Sequence, residues 1–166
     1  YFYAPAKTGV LTNAFGADAF SVLEGYVGNN VVMRPGYVQI GHPSKTQNYN
    51  DTFANEIGTL ATPALGAEGN VVLSFKTAAY QAPHEASITT TPKDDVTANS
   101  IVVNILGGGT FEDGTATKTV SVSTDKWDTL TYSISGATAD TQIEFTSPAA
   151  ATTTRWFLDE IYVKTL

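Results

Sequence analysis

The sequence predicts an all-β chain, folded as a two-sheet antiparallel β-sandwich of jelly-roll type, and three observations carry that expectation. Apolar and polar residues alternate with a period of two in one segment after another. Glycine- and aspartate-rich turn signals separate those segments, as in "GGG" (Gly107–Gly109), "EDG" (Glu112–Gly114) and "SGATAD" (Ser135–Asp140). No stretch of helical length carries an apolar stripe at the 3.6-residue period.

The segments follow in order. "AFSVLEGY" (Ala19–Tyr26) and "GYVQIG" (Gly36–Gly41) read as two less regular strands. In "NVVLSFKTAAY", Val71, Leu73 and Phe75 share one face while Ser74 and Lys76 take the other. Ile101, Val103 and Ile105 alternate against Asn104, and Val120 and Val122 against Thr119 and Ser121. Leu130, Tyr132 and Ile134 alternate with Thr129, Thr131 and Ser133, and Ile143 and Phe145 with Gln142 and Glu144. The last run is "TTTRWFLDEIYVKTL" (Thr152–Leu166). The expectation is nine or ten strands, with a closed barrel as the alternative closure. Two long connections, His42–Glu56 and Gln81–Ser100, interrupt them. Connections of that length in a compact domain carry function more often than the average loop.

The chain of 166 residues fits one domain spanning 1–166, large enough to bury a core without staples. Its cysteine count of zero removes disulfides, thiolate metal sites and cysteine nucleophiles together. Nine Lys and Arg stand against sixteen Asp and Glu, so no basic stripe exists to engage nucleic acid or an anionic membrane. No segment is apolar for long enough to insert in a bilayer. Threonine, in runs such as Thr89–Thr91 and Thr152–Thr154, supplies much of the polar surface and suits the solvated face of a strand. The chain opens on Tyr1 rather than Met, and the expectation is a domain excised from a longer exported chain.

Catalytic arrangements are missing from the sequence. His42 and His84 share no motif, no G-x-S-x-G turn occurs, and the acids Asp94, Asp95, Glu112 and Asp113 lie in turn-like text. The glycines at 107–109 lack the lysine and the following helix of a phosphate cradle and read as a flexible strand end. The expectation is a chain that is not an enzyme.

The string "IGTLATPAL" (Ile57–Leu65) followed by "GNVVLSFKT", then "WDTLTYSISG", "TQIEF" and "RWFLDEIYV", resembles the galactose-binding-like jelly rolls of Bacteroidetes surface lipoproteins and adhesins, which are related to carbohydrate-binding modules. The resemblance runs from about Asn13 to Val163. It implies a non-catalytic carbohydrate-binding or cell-adhesion module on an exported or surface protein, with a glycan or cell-surface polysaccharide as partner and an outer-membrane lipoprotein as the setting. A spacer domain without a ligand, and an accessory module of a glycoside hydrolase, stay open beside it.

The resemblance also bears on Asp159 and Glu160, an acidic pair inside an otherwise apolar run. A buried, unpaired carboxylate is costly, so the pair must be exposed, hydrogen-bonded or facing a cation. In such jelly rolls an aspartate of the last strand helps to hold a structural calcium. Here Asp159 matches it, and Asn13 and Asp18 are the side chains available at the start of the domain. Gly16 stands where the family often has an acid. The other reading is that Asp159 hydrogen-bonds backbone amides or pairs with a nearby Lys or Arg, while Glu160 faces water.

For a glycan, flat aromatic faces beside hydrogen-bonding groups are needed. The densest cluster is "KTQNYNDTF", with Asn48, Tyr49 and Asn50 at its centre. Tyr80 and His84 of the second long connection come next, then Tyr26; all of these equally suit a role in pinning their own loops. Trp127 has the opposite parity to Leu130 and Tyr132, and Trp156 and Phe157 cannot both face inward in a regular strand. One of that last pair must cover an edge or lie at a binding surface.

Overall fold

The structure is a computed structural model that describes residues 9–10, 25–29, 31–34, 36–43, 55–79, 100–123, 126–148 and 155–166. Every regular element among them is a strand. In chain order they are β1 (Gly9–Val10), β2 (Val27–Asn29), β3 (Val31–Arg34), β4 (Tyr37–Ile40), β5 (His42–Pro43), β6 (Asn55–Glu56) and β7 (Thr59–Ala61). Then come β8 (Gly69–Ala79), β9 (Ser100–Leu106), β10 (Thr110–Phe111), β11 (Thr117–Ser121), β12 (Asp128–Ala137), β13 (Gln142–Thr146) and β14 (Trp156–Thr165). Among the described residues eight strands run to four residues or more, against the nine or ten expected, and six more are ladders of two or three residues. The alternating period does not announce those short pieces.

Two antiparallel six-stranded sheets face each other. The front sheet has the order β10-β12-β8-β14-β4-β3 and the back sheet β1-β2-β7-β13-β9-β11. From β7 onward successive strands alternate between back and front, so each crossing adds one strand to the opposite layer. This is the two-sheet jelly-roll sandwich that the sequence predicts, and it is not closed into a barrel. His42, expected in a loop, lies in β5, paired with Glu56 of β6, so the two ends of that long connection are held side by side.

The alternation seen in the sequence fills the space between the layers. Val71, Leu73 and Phe75 of β8, with Ile134 of β12 and Trp156 and Leu158 of β14, meet Ile101, Val103 and Ile105 of β9 and Ile143 and Phe145 of β13. The Phe75 and Phe145 rings touch edge to face at 5.0 Å across the layers. Trp156 is fully buried, and its indole N–H donates to the Ser147 hydroxyl at 3.1 Å, so the one polar atom of the ring is satisfied.

Two departures from regular strand geometry matter. Asp159 lies opposite Lys76 on β8, yet Tyr162 lies opposite Ser74, so β14 spends three residues where β8 spends two. Glu160 is the extra residue, and its φ of 46° is positive, uncommon for a side chain with a Cβ. Before this bulge the odd-numbered residues of β14 point outward; after it Tyr162 and Lys164 do, and Ile161 and Val163 pack against the core.

The second departure is in "SGATAD". Its first part is strand rather than turn, because β12 runs through a bulge to Ala137 with Gly136 at φ 70°. The glycines at 107–109, expected as a flexible strand end, form a packed turn instead. Thr138 and Thr141 donate their hydroxyls to the carbonyls of Gly107 and Gly108, each at 2.8 Å. A Cβ on Gly107 would stand 2.3 Å from the Asp140 carbonyl oxygen.

Candidate functional site

The outer face of the front sheet carries the feature with most chemistry. Strands β12, β8, β14 and β4 are consecutive neighbours there. The pairing of Phe157 with Ala78 on one side and Gln39 on the other sets one row of outward residues across the sheet. Trp127 enters at the start of β12, one residue before Asp128, whose partner is Thr77, and so extends that row. Ala78, with only a methyl group, leaves room above it for the larger rings to meet.

Three aromatic rings come together over Ala78. Tyr37 and Phe157 contact edge to face at 4.9 Å, and Tyr37 and Trp127 at 5.7 Å. Trp127 and Phe157 lie nearly parallel, 23° apart with centroids at 6.1 Å. Phe157 is buried beneath the cluster, Tyr37 is half-buried, and Trp127 is 42% exposed. The parity problem in "RWF" is thereby resolved: Trp156 fills the core and Phe157 builds an outer-face patch.

Polar groups surround the rings. Gln39 is buried beside Phe157 and donates through Nε2 to the Gly41 carbonyl at 3.0 Å. The next row along the strands holds Thr129, Lys76 and Asp159, with Tyr37 following on β4. Asp159 Oδ1 accepts the Glu160 N–H at 2.8 Å, and Glu160 Oε2 lies 2.9 Å from Lys76 Nζ. The Glu160 hydrogen bond, followed by the charges of Glu160 and Asp159, pushes the Lys76 ammonium above the usual lysine range. On the Trp127 side, Asp128 Oδ2 accepts the Ser123 N–H at 3.1 Å, and hydrogen bonding from the Ser123 hydroxyl first, then from that amide, helped by Lys126, holds its carboxyl below the usual range.

This geometry answers why an acidic pair sits in the last strand. The bulge turns both side chains to the solvated outer face, where one takes a backbone amide and the other an ammonium. The expectation that Asp159 meets an amide or a nearby Lys matches the first contact; Glu160, expected to face water, is exposed and also holds Lys76. The calcium expectation for Asp159 with Asn13 and Asp18 rests on two residues outside the described ones. Among the described residues no group of three or more His, Cys, Asp or Glu side chains is placed to hold a metal.

The glycan candidates Asn48, Tyr49, Asn50, Tyr80 and His84 likewise lie outside the described residues. At the other end of β14 an open cleft of about 530 Å³ is lined by Tyr26, Thr62, Pro63, Leu65, Ile161 and Val163 among others. Burial pushes the Tyr26 phenol above its ordinary pKa. Sequence reasoning did not join Tyr37, Trp127 and Phe157 into a site. The available signals were the odd parity of Trp127 and the adjacent Trp156 and Phe157; which strands are neighbours was not in the local pattern.

Solved structures match this architecture. The carbohydrate-binding module TmCBM61, solved in complex with β-1,4-galactotriose, superposes with a TM-score of 0.50 at 12% identity over 89% of this chain and 94% of that one. The chain has the β-sandwich fold of a carbohydrate-binding module. A cleaved adhesin domain of Lys-gingipain from Porphyromonas gingivalis matches with a TM-score of 0.48 at 16% identity over 86% of this chain and 84% of that one. The N-terminal cellulose-binding domain of a β-1,4-glucanase from Cellulomonas fimi matches with a TM-score of 0.46 at 14% identity, over 86% and 89% of the two chains. At such identities the likeness is one of fold. No protein-family model matches the sequence, and no curated protein matches it.

Proposed function

We propose that the chain is a non-catalytic carbohydrate-binding or adhesion module of an exported or surface protein, and that it holds its glycan on the Tyr37–Trp127–Phe157 face. The observation that supports this reading is a solvent-exposed tryptophan, backed by two further rings and bordered by hydrogen-bonding groups, on a sheet face. Ring faces carry negative quadrupole charge, which suits the polarised C–H face of a pyranose, while neighbouring amides, hydroxyls and carboxylates suit its hydroxyl groups. The rings hold one another, so little ordering entropy is left to lose when a sugar stacks on them.

A glycan array followed by titration tests it. Trp127→Ala is expected to weaken the bound glycan by more than tenfold, about 1.4 kcal/mol, with the melting curve little changed. Unchanged affinity in that variant removes the face as the site. Tyr49→Ala in the same titration tests the other proposed surface, that of Asn48, Tyr49, Asn50, Tyr80 and His84. Calcium held by Asp159 with Asn13 and Asp18 is a separate proposal. It requires that chelation lower the melting temperature of the wild type and not that of Asp159→Asn.

A further inference from the structure

Resting on that reading, we infer that the glycan is a linear chain laid along β8 and β14, and that Tyr162 is a second stacking platform for it, remote from Trp127. Strict alternation from Phe157 would turn Tyr162 inward with Trp156 and Leu158. The surplus residue Glu160 reverses the parity, and Tyr162 stands on the outer face with 55% of its surface exposed. Among the described residues Trp127 and Tyr162 are the two exposed aromatic residues. An exposed ring by itself is ordinary. Here both rings belong to the outer face of one sheet, since Trp127 extends the row of Ala78 and Phe157 while Tyr162 is opposite Ser74.

The spacing sets the length of the ligand. Ala78 and Ser74 are four residues apart on β8, roughly 13 Å at the rise of an extended strand. One pyranose cannot bridge that span, whereas a linear oligosaccharide can. The ground between the platforms carries hydrogen-bonding groups at each step. Thr129, Lys76 and Asp159 form the first row beyond the Trp127–Phe157 row, and Thr131 and Ser74 lie in the next, with Thr131 Oγ1 donating to Ser74 Oγ at 3.4 Å. Asp159 uses Oδ1 for the Glu160 amide and Glu160 uses Oε2 for Lys76, so Asp159 Oδ2 and Glu160 Oε1 remain as acceptors for hydroxyls. The β4 ladder ends at Leu158, so no described strand flanks Tyr162 on that side, and a chain can run on past its ring.

The test compares dimers with hexamers of β-1,4-glucose, β-1,4-mannose, β-1,4-xylose and α-1,4-galacturonate. Each is titrated into the protein and followed by NMR, which reads weak binding as well as tight. In the backbone that binds, the hexamer is expected to bind about tenfold tighter than the dimer. It is expected to shift both the Trp127 indole N–H and the Tyr162 ring, whereas the dimer shifts only the first. Tyr162→Ala should remove most of the hexamer's advantage and leave dimer binding and the melting curve unchanged. Tyr162→Phe, which keeps the flat ring, should keep the advantage, and Trp127→Ala should weaken dimer and hexamer alike.

Equal affinity for dimer and hexamer in the wild type, a Tyr162 ring that the hexamer does not shift, or an advantage untouched by Tyr162→Ala overturns the inference and leaves the Trp127 site standing. So does an equal loss for dimer and hexamer in Tyr162→Ala. Failure of every hexamer to bind, or binding that ignores Trp127→Ala, overturns the proposed function and this inference with it.

Discussion

Two tryptophans and two glycines separate what a residue does for the fold from what it does at the surface. Trp156 is wholly enclosed and bonded to Ser147, whereas Trp127 keeps 42% of its surface in water. Trp156→Ala is therefore expected to cost about 3–5 kcal/mol, the range for emptying a large core site, in a urea titration. Trp127→Ala removes only exposed ring contacts and is expected to cost less than about 1.5 kcal/mol. Iodide should quench the fluorescence of one tryptophan and spare the other, and the quenched signal should vanish in Trp127→Ala. Gly107 offers a second contrast. Its φ is 75°, and a Cβ there would stand 2.3 Å from a carbonyl oxygen, so Gly107→Ala meets both strain and overlap. Gly114, at φ 78°, has open space around it. Gly114→Ala is expected to cost about 1–2 kcal/mol from backbone strain alone, and Gly107→Ala distinctly more. Equal costs at the two positions would mean that the turn at 107–109 yields to its neighbours.

At the scale of the element, the last strand is two regular halves joined by one surplus residue. Asp159 opposite Lys76 and Tyr162 opposite Ser74 become consecutive steps of an ordinary ladder when Glu160 is removed, with Ile161 then facing Phe75. Deletion of Glu160 should thus keep Ile161 and Val163 on the core side and abolish only the bulge and the ion pair with Lys76. Both partners of that pair are well exposed, so its loss costs little. Relief of the left-handed backbone at Glu160 returns about 1 kcal/mol. The expected net change is within about 1 kcal/mol, read by chemical denaturation. Deletion of Leu158 is the control, because it exchanges the faces of residues packed in the core and should prevent folding. A Glu160 deletion as damaging as the Leu158 deletion would show that the strand register is not the one described. The bulge also explains a limit of the sequence: period-two counting through "WFLDEIYV" assigns parity correctly on each side of Glu160 and wrongly across it.

For the whole molecule, the inward residues of the long strands were legible because burial imposes the alternation directly. Val71, Leu73, Phe75, Ile101, Val103, Ile105, Ile143 and Phe145 all occupy the core to which their pattern assigns them. Strand order was not legible, since β14 meets β8 with Trp156 opposite Ala79, and nothing local in either segment names the other. The aromatic face depends on that order, because its three rings come from β4, β14 and the start of β12. Charge is a property of the same scale, and it pulls stability in two directions on acidification. Asp113 accepts bonds from the Thr115 hydroxyl and amide and from Lys118, which hold its carboxyl well below the usual range, and Asp128 is lowered by Ser123. A carboxyl lowered in the folded state contributes stability that is complete above its unfolded pKa, near 4, and is lost as pH falls through the folded value. Against this, protonation of other acids relieves repulsion within a chain of net charge −7. Salt near 0.15 M screens that diffuse repulsion, with a Debye length of about 8 Å, far more than bonds made at about 3 Å. The urea midpoint at that ionic strength should therefore be flat from about pH 7 to 5 and fall towards pH 2. In Asp113→Asn the acid-side fall should be shallower, because that variant has no proton to take up there. A wild-type midpoint that rises between pH 5 and 3 would mean that relief of repulsion outweighs the bonded carboxylates, even in salt.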